Sequence, residues 1–282
     1  MILRNVFQIT AILLAILMAG CTKEVNTSGS PMSTSSTQFN NKSSVSQVNK
    51  DIVKATNSTI NVAYVDLKSV ARFGIIAGVG VSNNAGKSII NNQDVGISPG
   101  GRSSVTGFPP ALIMNGTIFT ASDIAPLGVP AMLTQAKQDL TNAYNFAAGA
   151  SNPAPATLAG DQGGKTLAPG IYKSTSTLLI QKGNLTLDAQ GNPNSVWIFQ
   201  VASAFTSVGG AGGNVILTGG AQAKNIFWQI GSSATIGDYT SFKGNVMALI
   251  SITMNSGAIT QGRMLAINGA VVLTSTNIIN KP

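Results

Sequence analysis

Histidine is absent from this 282-residue chain, cysteine occurs once, at Cys21, and acidic side chains number nine. Chemistry built on imidazole is therefore excluded, whether as general base or metal ligand, and so is an internal disulfide. Paired carboxylates are the one familiar catalytic device left open. Glu24 and Asp51 lie in a polar N-terminal tract and Asp66 lies ahead of the patterned region. Asp94, Asp123, Asp139, Asp161, Asp188 and Asp238 are spread singly over the rest, so an acid and its base would have to meet from distant parts of the chain. The residues thus point to a non-enzymatic protein with no cofactor and no metal. Gly209-Gly210-Ala211-Gly212-Gly213 is followed by no Lys-Ser/Thr pair and reads as a long turn, not a phosphate loop.

Seventeen Lys and Arg against nine acids give a net charge of +8. These cations (Lys137, Lys165, Lys173, Lys182, Lys224, Lys243 and Arg263 among them) are isolated from one another and lack interleaved aromatics, the pattern of a solvated surface and not of a nucleic-acid interface. At the N-terminus, Arg4, an apolar run from Ile9 to Ala19 and the small residues before Cys21 resemble a bacterial lipoprotein signal. The run is short for a transmembrane span. Residues 1–20 are expected to be removed and Cys21 to carry a lipid that anchors the chain to a membrane, making it an exported envelope protein on the periplasmic or cell-surface side, or otherwise a secreted one. Residues 21–61, rich in Ser, Thr and Asn, carry too few apolar groups to offset ordering entropy and read as a flexible tether. One folded domain is expected over residues 62–282.

Within that domain Pro130 and the apolar positions Leu133, Ala136, Leu140, Ala143 and Ala147, with Gly149 as a stop, predict one helix of about five turns. Short strand-like runs separated by Gly, Asn, Ser and Asp make up the rest, including Leu178–Ile180, Val196–Val201, Ile226–Ile230, Val246–Ile250, Ile252–Met254, Met264–Ile267 and Val271–Leu273. Their spacing is informative. Laying Thr235-Ile236-Gly237 on Thr253-Met254-Asn255 places Gly244 on Gly262 and Val246 on Met264, an offset of 18 residues, while Trp197-Ile198-Phe199-Gln200 echoes Ile226-Phe227-Trp228-Gln229 at 29. A repeat of this kind, interrupted by an insertion, predicts a solenoid. Eighteen extended residues enclose a perimeter of about 60 Å, three short strands per coil, hence an irregular triangular β-helix.

The three sides differ in pattern. Ile226–Ile230, Val246–Ile250 and Met264–Ile267 are apolar throughout and should be covered on both faces, with the helix on the outside. The following runs alternate: Ile252, Met254, Val271 and Leu273 should point inward, leaving Thr206, Thr235, Thr253 and Val272 as one outward file on a bare, flat side.

Collinear stretches over about Val70–Asn280 resemble the microbial ice-binding proteins, a family with a discontinuous β-solenoid and a long flanking helix. They include Asn92-Gln93-Asp94-Val95-Gly96-Ile97-Ser98-Pro99-Gly100, Asn115-Gly116-Thr117-Ile118, Leu167-Ala168-Pro169-Gly170-Ile171-Tyr172, Trp197-Ile198-Phe199-Gln200 and Gly262-Arg263-Met264-Leu265-Ala266-Ile267-Asn268-Gly269. The resemblance implies a monomer whose partner is an ice crystal surface, with Thr206, Thr235, Thr253 and Val272 as central contacts and Thr240, Ser256 and Thr274 nearer the edges. Strongly active family members carry a Thr-Ala/Gly-any-Thr/Asn pattern, where this chain has Ser256-Gly257-Ala258-Ile259 and Asp238-Tyr239-Thr240-Ser241. Moderate activity is therefore expected. The competing reading is a surface adhesin, or a glycan- or protein-binding module, that keeps the fold without affinity for ice; Trp197 and Trp228, its best glycan platform, both fall in the runs expected to be buried.

Overall fold

The 18-residue offset is the circumference of one coil. The computed structural model describes residues 61–282; the expectations for the signal segment, for Cys21 and for the tether up to residue 60 lie outside the described residues. Thr235 pairs with Thr253 and Val246 with Met264 in parallel ladders, and Trp197 pairs with Ile226 at the 29-residue step. The coils form a three-sided prism. Its helix-covered face contains Gly170–Ser174, Trp197–Val201 and Ile226–Ile230, and its bare face Leu178–Ile180, Phe205–Ser207, Ala234–Ile236 and Ile252–Met254. The third face begins with Thr166–Leu167, Leu185–Asp188 and Val215–Thr218.

The stacking order is not the chain order. Phe73–Ala77 pairs with the strand Ile259–Ala266, Val81–Ala85 with Val271–Ser275, and Ile89–Asn91 with Ile278–Asn280, so the N-terminal coils extend the C-terminal end of the stack. The single α-helix among the described residues, α1 (Val129–Gly149), then carries the chain back along the prism to start the coil at its far end. Twenty-one residues span about 32 Å, close to the length of the stack it must traverse. Its buried stripe of Leu133, Ala136, Leu140, Ala143 and Ala147 packs on Phe73, Ile76, Ile198, Phe227, Met247 and Leu265, the outward residues of the face expected to be covered. Alanines at three of those five positions let the helix lie close. Its last turn is capped from the sheet, where Gln200 Nε2 donates to the carbonyls of Ala147 at 2.9 Å and Ala150 at 2.7 Å.

Two apolar runs are the ends of longer strands. Ser241–Ala248 and Ile259–Ala266 turn a prism corner in mid-strand, at Gly244 and Gly262. Gly244 has φ +109°, and a Cβ on Gly262 would meet the Gly244 carbonyl oxygen. Earlier coils round the same corner by loops of several residues, which, with a longer turn after Ser207, accounts for the 29-residue step. The core follows this narrowing: one inward file runs Tyr172, Phe199, Trp228, Val246, Met264, Ile75, Val95, from aromatic in the wide coils to aliphatic in the narrow ones. Phe199 stacks on Trp228 at 3.9 Å between ring centroids.

Asp139 of α1 ties the helix to the segment that precedes the first strand. It accepts from the Ser69 hydroxyl at 2.5 Å and from Gln135 Nε2 at 3.1 Å. The Ser69 hydroxyl foremost, against the opposing effect of burial, holds the Asp139 carboxyl below the usual carboxylate range. A lowered native pKa means that this stabilisation is complete above the unfolded value of about 3.9 and is lost as pH falls through the native value. Asp139→Asn should therefore lower stability at neutral pH and flatten the acid limb of stability below about pH 4; an unchanged acid limb would show that the tie is not coupled to folding.

Candidate functional site

On the bare face Leu178, Phe205, Ala234, Ile252 and Val271 point into the prism, as do Ile180, Ile236, Met254 and Leu273, and all are buried. Thr206, Thr235, Thr253 and Val272 lie between them, outward, half-buried and in continuous register. Ser82 continues the file from Val272, and Thr106 from Ser82. Sequence reasoning missed both. Val81-Ser82-Asn83 alternates just as Val271-Val272-Leu273 does, but no fixed offset reveals pairing between residues about 190 positions apart. At the other end the file continues through Leu179 to Asp161, whose carboxylate is taken by the backbone N–H groups of Gly163, Gln181 and Lys182. Eight strands at ~4.8 Å spacing make a surface about 34 Å long.

Small residues flank this file. On one side Ser233 and Ser251 form a hydroxyl ladder: Ser233 Oγ accepts from the Ser251 N–H at 3.3 Å and Ser251 Oγ from the Ala270 N–H at 3.2 Å. On the other side the Thr274 hydroxyl donates to the Met254 carbonyl at 3.0 Å and lies 3.5 Å from Ser256 Oγ. Ser256 and Thr274 thus sit beside the file, half-buried and partly tied down. From Thr206 to Thr106 neither the central file nor these flanking ladders carry a charge.

Thr240 requires correction. It is 1% exposed, with its side chain directed into the prism, and cannot contact a surface ligand. The reason is the preceding residue: Tyr239 adopts φ +56°, and this left-handed step turns the next side chain inward. The same corner recurs in successive coils as Tyr239, Gly257, Thr276 and Gly86, with φ of 56°, 69°, 50° and 65°. A β-branched residue is strained there. Thr276→Gly should raise stability by about 1 kcal/mol, seen as a higher urea midpoint at unchanged m-value; a lower midpoint would show that the contact of its methyl with Gly86 outweighs the strain.

Six of the seven carboxylates among the described residues serve the fold. Asp94 pairs with Arg72 at 2.7 Å, Asp123 with Arg102 at 2.5 Å, and Asp188 accepts from the Gln190 N–H. No group of three or more potential metal ligands occurs among the described residues. What remains is a discontinuous β-solenoid with one face covered by a helix and one left uncovered, whose outward file from Thr206 to Thr106 is uncharged and lined by hydroxyl and methyl groups.

The model of the ice-binding-like family matches residues 75–279, and the chain belongs to that family. An ice-binding protein of Nostoc sp. (strain HG1) is 42% identical over 215 residues, 76% of this chain and 73% of that one. An ice-binding protein of Flavobacterium frigoris (strain PS1) is 37% identical over 269 residues, 92% of each. The crystal structure of an ice-binding protein from an Antarctic biological consortium shares 43% identity and covers 79% of this chain and 94% of that one, with a TM-score of 0.70. Membership of this family, with Asp94, Asp123, Asp139, Asp161 and Asp188 held in hydrogen bonds and ion pairs of the fold, is that of a non-enzymatic protein.

Proposed function

We propose that the chain adsorbs to ice through the bare face, with Thr206, Thr235 and Thr253 at the centre, Val272, Ser82 and Thr106 continuing the file, and Ser256 and Thr274 at the rim. The observation that carries this reading is the uncharged outward file held in register across six neighbouring strands. Stacked coils suppress the twist of an ordinary sheet, so methyl and hydroxyl groups recur at the ~4.8 Å strand spacing over a flat area. Each contact with ordered surface water is weak, and adsorption requires many at once; the rigid solenoid meets the ordering cost during folding. Bound molecules then impede growth of the ice surface, giving a freezing–melting gap and slower recrystallisation.

Val272 interrupts the run of hydroxyls and Leu179 ends it, which supports moderate activity. The lipoprotein-like segment ending at Cys21 supports attachment of a monomer to the cell envelope, where it would hold a cell to ice or shield its surface. Single ice crystals grown in the purified protein should be faceted and should show a gap between freezing and melting. Rounded crystals growing as in buffer would remove the proposal and favour the adhesin reading.

A further inference from the structure

The third face has one interruption. Thr166–Leu167, Leu185–Asp188 and Val215–Thr218 form a three-stranded sheet; the next coil supplies Ser241–Lys243, which pairs onward with Ile259–Gln261 but not back to Val215–Thr218. The cause lies where the coil circumference changes. Val215–Thr218 runs on into the loop at Gly219 and Gly220, whereas the Ser241 strand bends at Gly244, so the two diverge from a common start. At that start Asn214 Oδ1 accepts from the Ser241 N–H at 2.7 Å. Towards the open end the carbonyl of Lys243 is taken from beneath by the Trp228 indole N–H at 3.0 Å.

The result is a wedge-shaped cleft of about 490 Å³, within the range of small-ligand sites. One wall is the strand segment Val215–Leu217, whose outward side chain Ile216 is 41% exposed while Val215 and Leu217 turn toward the core. The other presents the Ser241 hydroxyl, the Gln261 amide and Lys243. Lys243 is half-buried, and burial pulls its ammonium below the usual lysine range. It makes no ion pair among the described residues, and no carboxylate lines the cleft.

We propose that this cleft binds a carboxylated sugar unit of an acidic polysaccharide, with Lys243 Nζ taking the carboxylate, Ser241 and Gln261 the ring hydroxyls, and the Ile216 side chain the C–H face of the ring. An amide and a hydroxyl, which both donate and accept, match vicinal sugar hydroxyls. A single cation in an acid-free cleft matches one carboxylate per unit. No aromatic side chain among the described residues lines the walls to stack a nucleobase. The site lies on a different face from the Thr file and stands whether or not that file binds ice.

Isothermal titration of the full chain with tetragalacturonate tests it, with cellotetraose as the neutral counterpart. Saturable one-to-one binding is expected, weakened roughly tenfold or more in Lys243→Gln, retained in Lys243→Arg, and lost in Ile216→Glu, which places a carboxylate in the cleft. Circular dichroism and ice-crystal shape should stay as in the parent for all three. Absence of saturable binding, equal binding of cellotetraose, or unchanged affinity in Lys243→Gln would overturn the proposal.

Discussion

A protein carrying Thr235→Tyr and Thr253→Tyr should lose nearly all of its freezing–melting gap while unfolding at the parent temperature. The two positions are direct neighbours in the ladder, ~4.8 Å apart, and lie at the middle of the file. Phenol rings there stand several ångströms proud of the flanking Ser233, Ser251 and Thr274. A flat crystal surface could then touch the ring tips or the ends of the face, but not the whole array, and adsorption that depends on simultaneous contacts fails as a unit. Both side chains point outward between buried neighbours, so the core is undisturbed. Nanolitre osmometry beside a thermal melt reads both effects; a gap that survives in a folded variant would place the ice contact elsewhere.

The second large effect is on stability. Trp228→Ala should cost about 3–5 kcal/mol and lower the melting temperature by about 10 °C. Trp228 is fully buried, stacks on Phe199, and contacts Phe205 at 5.1 Å and Phe242 at 5.2 Å. Its indole N–H also holds the Lys243 carbonyl. Removing it opens a cavity where coils of different circumference join, so the wide end of the solenoid loses its filler. Phe205 is the inward neighbour of Thr206, so weaker ice activity should accompany the loss of stability. Calorimetry on the variant checks the first part; a change below about 1 kcal/mol would mean that the surrounding aromatics close the gap.

Much of this architecture is legible in residue order because solenoid contacts are made at fixed offsets. Thr235 to Thr253 and Trp197 to Ile226 are such pairs, and the alternation around Ile252-Thr253-Met254 separates inside from outside with no further information. The continuous apolar runs at Ile226–Ile230 and Met264–Ile267 likewise demand a cover, and the Leu133–Ala147 stripe supplies it. Three features were not legible. Ser82 and Thr106 join the candidate face through pairing of the N-terminal coils with the last ones, which no local period records. Thr240 follows a left-handed Tyr239, and a left-handed residue other than Gly leaves no mark in the composition, so its inward turn was hidden. The cleft beside Ile216 arises from a mismatch between coils of 29 and 18 residues; the offsets were visible, but the splay they produce belongs to three dimensions.

The central claim is that one face, and not the solenoid as a whole, meets ice. Thr186 gives a matched control, since it is an outward, half-buried threonine on the third face, in register with Ile216. Partition of the parent, Thr235→Tyr and Thr186→Tyr into slowly growing polycrystalline ice tests the claim with the same substitution on two sides. The parent and Thr186→Tyr should concentrate in the ice, and Thr235→Tyr should remain in the liquid. Retention of Thr235→Tyr in the ice together with exclusion of Thr186→Tyr would contradict the account and move the binding surface to the third face.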